Sequence, residues 1–228
     1  MEYTLLHFFT LSVAWRMNIL MAIGYATVAA ELIPIYAGYK VRDALDRPLQ
    51  IMLAYLISSF LTDILLFTLS VRGVNNLWVI RLYTPFEFGL IMLVFHYWQK
   101  ESTIRRVILW SIPVFLSLAL LDSIVSEHSA GFNAVSKAVS AIAIVIISSY
   151  TLFQLRLSNT ERLASDPTMW ISVATLLHFG VGAVVYVASN LLMLFPKELA
   201  LIPWTFKAIT HTAASVIFAK GFLCLRTK

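Results

Sequence analysis

Glu87 and Tyr83 stand one helical turn apart in NNLWVIRLYTPFEFGLIMLVFHYW, residues 75–98. Lys207, His211 and Ser215 repeat the same four-residue spacing in WTFKAITHTAAS. Side chains four apart share one face of a helix, so each set aims its polar groups in a single direction. A carboxyl, an ammonium and an imidazole brought together can bind a charged ligand, act as general acid and base, or neutralise one another. Asp63, Arg81 and Asn190 add polar groups within other apolar runs. Walker A, GxGxxG, HExxH and GxSxG motifs are absent, and so is any Cys/His metal spacing. The single cysteine, Cys224, excludes an internal disulfide. The expectation is therefore a site without metal or cofactor.

The medium around these groups decides what they cost. Hydrophobic residues make up 60% of the 228 and charged residues 13%, with a mean hydropathy of +0.82. A soluble domain carries about a quarter charged residues. The composition therefore describes one polytopic membrane domain, with membrane lipids as its first partners. The net charge of +5 does not point to nucleic acid, because the basic residues fall between apolar runs rather than in one patch.

A span needs about 20 apolar residues. Seven such stretches occur, at 17–39, 49–70, 76–98, 106–125, 134–155, 168–193 and 200–222. The expected fold is all-α, a bundle of seven transmembrane helices. Residues 1–16 read as an interfacial segment, 17–222 as the transmembrane domain and 223–228 as a short tail. MEYTLLHFFTLSVAWR has an acidic residue and no basic one before its apolar run, unlike a signal peptide. Lys and Arg in the connectors and at the span ends divide eleven against four between the two sides. Basic loops stay cytoplasmic. With seven spans, this bias predicts the N-terminus outside and the C-terminus inside.

A charged side chain mid-membrane costs about 2.5–3.5 kcal/mol on insertion scales, so such residues are functional candidates by default. With the predicted orientation, Asp63, Arg81, Asn190 and Lys207 fall in the outer part of their helices. Glu87, His178 and His211 fall near the middle, and Glu31 slightly inward. Asp63, Glu87 and Asp122 are available to neutralise Arg81, Lys137 and Lys207. Arg81, Asp122 and Lys137 also lie near enough to helix ends to snorkel. Pro34, Pro85 and Pro113 are expected to kink their helices. Gly180, Gly182 and Ala183 are expected to allow close packing. Trp15, Trp78, Trp98 and Trp204 mark span ends. The picture is a polar cavity open to the outside and closed below by aromatics. Its expected ligand-binding residues are Asp63, Tyr83, Arg81, Glu87, Asn190, Lys207 and His211, with Glu87 paired to Lys207 or Arg81.

The succession ELIPIYAG, DRPLQIMLAYLISSFLTDIL, NNLWVIRLYTPFEF, FNAVSKAV, MWISVATLLHFGVGAVVYVASNLL and HTAASVIFAKGFL resembles a seven-span membrane-protein family common in Bacteroidota. The resemblance implies a seven-helix fold in the bacterial inner membrane, with polar positions at Glu31, Asn76, Tyr83 and Glu87, and Asp63 late in helix 2. It implies no activity. A more distant likeness is to lysoplasmalogenase-type and PQ-loop seven-helix proteins, although Pro34-Ile35 stands where a PQ dipeptide would be.

The first functional expectation is a sensor or receptor that binds a small periplasmic ligand and signals to a cytoplasmic partner. A small-solute transporter is an alternative, but below mid-membrane only Glu31 and His96 mark a polar path. An intramembrane lipid-modifying enzyme, a lysoplasmalogenase-like hydrolase using Asp63, Glu87 or His211, is the other. A retinal-type Schiff base on Lys207 is disfavoured, because Lys207 lies toward a helix end and WTFKAITHTA lacks the rhodopsin pattern.

Overall fold

The computed structural model describes residues 22–126, 134–157, 163–192 and 197–227. Long helices occupy nearly all of them. They are α1 (22–40), α2 (Arg47–Val71), α3 (Leu77–Trp98), α4 (Ser102–Ser126), α5 (Ala134–Leu157), α6 (Pro167–Leu192) and α7 (Lys197–Leu223). The protein is an all-helical membrane-type bundle. Among the described residues five helices, α2 to α6, are long and apolar enough to cross a membrane. The other two long helices are those that carry Glu31 and the pair Lys207 and His211. The expected interfacial segment 1–16, with Trp15, lies outside the described residues.

Local signals set the helix ends. Asp46 caps α2 by accepting from Leu49 N at 3.2 Å, with Pro48 in the first turn, where a missing N–H costs nothing. The other end of α2 closes on Gly73 at φ 65°, with Val74 N bonded to Leu69 O and Gly73 N to Ser70 O. That left-handed residue is why a glycine stands there. Asp166 accepts from Thr168 N at 2.8 Å as α6 begins. α4 starts at Ser102 rather than at 106, so Arg105 and Arg106 are helical. Their long stems let the helix continue past the hydrocarbon while the charges reach the interface.

α5 packs along α6, α6 along α7, and α3 lies against α2, α4 and α5. α1 closes the ring. Gly38 meets Leu53 of α2 and Phe222 of α7, and Tyr25 stacks edge-on against Phe67 of α2 at 4.9 Å. α4 is peripheral, with Val107, Trp110, Val114 and Leu118 exposed along its outer face. In a bilayer such a face meets lipid rather than water.

The two ends of the bundle differ. Where α2 and α6 begin and α3 and α7 end, the interior is dry and filled by Met52, Ile91, Val94, Phe95, Ile171 and Phe222. Gly221 lets α7 approach α6 so closely that an added Cβ would stand 2.8 Å from Ile171 Cδ1. At the opposite end the interior is polar.

Candidate functional site

Three contacts organise the polar end. Lys137 Nζ donates to Glu87 Oε2 at 2.7 Å, joining α5 to α3. His211 Nε2 lies 2.7 Å from Glu31 Oε1, joining α7 to α1. The Asp63 carboxyl, on α2, lies beside Glu31. Glu31, Glu87 and Lys137 are buried. An uncompensated charge there would be costly, and each of these three has an opposite or proton-bearing partner.

Aromatic rings surround the cations. The Lys137 ammonium lies 5.8 Å from the Tyr83 ring centre and 6.0 Å from that of Tyr186. The Lys207 ammonium lies 5.2 Å from Tyr186 and 5.9 Å from Trp204. These distances let the ring faces stabilise a positive charge where water is scarce. The His178 ring meets His211 edge-on at 4.7 Å, bringing α6 into the cluster. Tyr83 Oη and Ser58 Oγ share a 3.4 Å hydrogen bond that ties α3 to α2.

These groups line a cavity of about 170 Å³. Ser59, Thr62 and Asp63 form its α2 wall, Tyr83 and Glu87 its α3 wall, and Tyr186, Trp204, Lys207 and His211 much of the rest. A side recess of about 10 Å³ runs toward Ser140, Phe179 and Gly182. That volume suits about one water. Among the described residues no group of His, Cys, Asp and Glu is arranged to hold a metal.

The cavity brings together five of the residues singled out from sequence: Asp63, Tyr83, Glu87, Lys207 and His211. It does not include Arg81, which lines a separate groove between α3 and α4. Six residues separate Arg81 from Glu87 and two separate it from Tyr83. At about 100° per residue, Arg81 points nearly opposite to Tyr83. The partner of Glu87 is Lys137, not Lys207 or Arg81. Asn190 lies on α6, and its side chain is outside the described residues. Glu31, Lys137, His178, Tyr186 and Trp204 join the cluster although the sequence reading did not assign them to it. Glu31 and Lys137 had a signal, being ionisable groups inside apolar runs. Trp204 read only as an interface anchor, and its depth in the wall depends on how α7 is rotated.

Lys207 differs from the other charged groups of the cavity. Among the described residues it forms no ion pair within 4 Å and no side-chain hydrogen bond; its ammonium lies over the Tyr186 and Trp204 rings, with the Asp63 and Glu31 carboxyls in longer electrostatic reach. No family model matches this chain, and no curated protein or solved structure matches it.

Proposed function

We propose that this protein is a receptor-like sensor of the bacterial inner membrane, and that its polar cavity binds a small organic anion. The observation that carries this reading is Lys207. It is a lysine in a cavity wall where Glu87 is paired with Lys137, Glu31 lies against His211, and Asp63 lies beside Glu31. A carboxylate ligand would give it a direct ion pair, which Asp63 and Glu31, acting on it from further away, do not. An apolar cavity of about 150 Å³ accommodates benzene. A space of 170 Å³ therefore suits a ligand of roughly six to eight heavy atoms. The rings of Trp204, Tyr186 and Tyr83 would cover its apolar part.

In this proposal all seven long helices cross the membrane, with the N-terminus outside, and the cavity opens to the periplasm. The distribution of basic residues supports that orientation. Arg42, Arg47, Lys100, Arg105, Arg106, Arg156 and Lys220 all gather at the dry end. A cytoplasmic signalling partner would dock on those basic loops. The dry interior also favours a sensor over a transporter, because Met52, Phe95 and Phe222 fill the path that a solute would follow.

A titration of the purified protein with a panel of small carboxylates tests the proposal. Trp204 lines the cavity, so its fluorescence should change saturably with at least one of them. Lys207→Gln should abolish that change. Absence of saturable binding across the panel, or binding unaltered in Lys207→Gln, would refute an anion site. An enzyme reading would gain ground if overexpression altered the cell's lipid composition and Glu31→Gln cancelled the effect, since Glu31 and His211 are placed to move a proton.

A further inference from the structure

Arg81 opens a second question. Its Nε is buried without a hydrogen-bond partner, and among the described residues its guanidinium forms no ion pair. It stands at the mouth of a groove of about 500 Å³ between α3 and α4. Leu82, Pro85, Phe86, Gly89, Ile112 and Leu116 make the walls, and Leu82, Phe86 and Leu116 are exposed on the bundle's outer surface. The groove is thus apolar along its length and cationic at one end.

We propose that this groove holds one acyl chain of an anionic phospholipid whose phosphate sits on Arg81. The dimensions suit it. Arg81 is the fifth residue of α3, about 6 Å along the helix. That is the depth at which an arginine reaches lipid phosphates by snorkelling. The groove continues to Leu93, about 18 Å further along α3, slightly more than half of a hydrocarbon core about 30 Å thick. A chain from a single leaflet fills that length. The guanidinium offers a fork of donors that matches phosphate oxygens, and among the described residues no carboxylate pairs with it. Gly89 keeps the groove open. A Cβ added there would meet nothing nearer than Ile112 Cγ2 at 3.8 Å, so a larger side chain would enter the groove without displacing backbone.

The test extracts the protein from vesicles of equimolar phosphatidylglycerol and phosphatidylethanolamine and weighs the retained lipid by native mass spectrometry. Wild type should retain phosphatidylglycerol in preference. Arg81→Gln should lower that preference about fivefold, the worth of one basic residue beside an anionic leaflet. Arg72→Gln removes the same charge from an exposed position at the same end of the bundle, and should leave the preference intact. Gly89→Leu should reduce retention of both lipids. An unchanged ratio in Arg81→Gln, an equal fall in Arg72→Gln, or full retention in Gly89→Leu would each overturn the proposal. If Arg81→Gln does not accumulate, Arg81→Lys should still prefer phosphatidylglycerol, and Gly89→Leu decides alone.

Discussion

The two ends of the bundle use the same helices for opposite purposes. At the basic end the interior is packed solid around Phe95, Phe222, Met52 and Ile171, and its few polar side chains include the buried pair Gln99 and Thr151, bonded at 2.8 Å. At the other end the same helices surround a cavity walled by two carboxyls, two ammonium groups and two imidazoles, with the Glu31 carboxyl behind His211. Apolar packing tolerates no gap, because every missing contact is lost outright. Charged groups tolerate a gap provided that each finds a partner across it. The dry end therefore fixes where the helices sit, and the polar end exploits that fixed geometry to keep costly side chains in place.

The largest test of this division is the buried ion pair. Lys137→Met removes one member and leaves Glu87 buried and uncompensated. The expected loss is about 3–5 kcal/mol, read from unfolding in detergent. Lys137 stands in the first turn of α5, where the helix dipole disfavours a cation. The double variant Lys137→Met with Glu87→Leu should accordingly recover most of the loss. If the double variant is as unstable as the single one, the pair does not act as a unit and the polar end is held by something else.

Phe95→Ala probes the dry end. Phe95 is fully buried and packs edge-on against Trp98 at 5.7 Å. Lipid offers an unfolded helix the same apolar surroundings as the core, so the transfer part of the usual penalty falls away and the cavity part remains. A loss of about 2–3 kcal/mol is expected. Ligand binding at the far end should survive. Loss of binding with little loss of stability would mean that the two ends are coupled conformationally.

Thr151→Val is smaller. It removes the acceptor of the Gln99 amide and strands that donor in the dry interior, at about 1 kcal/mol. No effect at all would indicate that the helix ends open enough there for water to replace the hydroxyl.

How far the sequence reveals these two ends depends on whether the signal is local. Seven apolar stretches mark the seven long helices to within a few residues at their described ends, and five of those helices are long and apolar enough to cross a membrane. The placement of Tyr83 and Glu87 on one wall was equally legible, since a spacing of four fixes their common face. The same arithmetic placed Arg81 on the other side of α3, although its charge suggested a partner for Glu87. Lys137 as that partner was not legible. Fifty residues separate it from Glu87, and nothing local says that the start of α5 lies against the middle of α3. The Glu31–His211 contact is longer-range still, because it depends on α1 closing the ring against α7. Pairwise packing between helices is written in surface shape, such as Gly38 against Leu53 and Phe222, rather than in period.

The smallest expected effect on stability separates the site from the scaffold most cleanly. Lys207 lies over Tyr186 and Trp204, forms no ion pair among the described residues, and is only partly buried. Replacing it with glutamine forfeits a cation–ring attraction of about 0.5–1 kcal/mol and relieves the charge of the membrane interior, two terms of opposite sign. Stability should therefore change by well under the Lys137→Met loss, while binding of a small carboxylate disappears. Lys207→Arg keeps the charge but presents a wider, planar group, so it should restore some affinity and shift the preferred ligand size. A Lys207→Gln variant as unstable as Lys137→Met would instead make Lys207 a structural member of the polar end. The cavity would then be a consequence of pairing charges rather than the place where a ligand completes them.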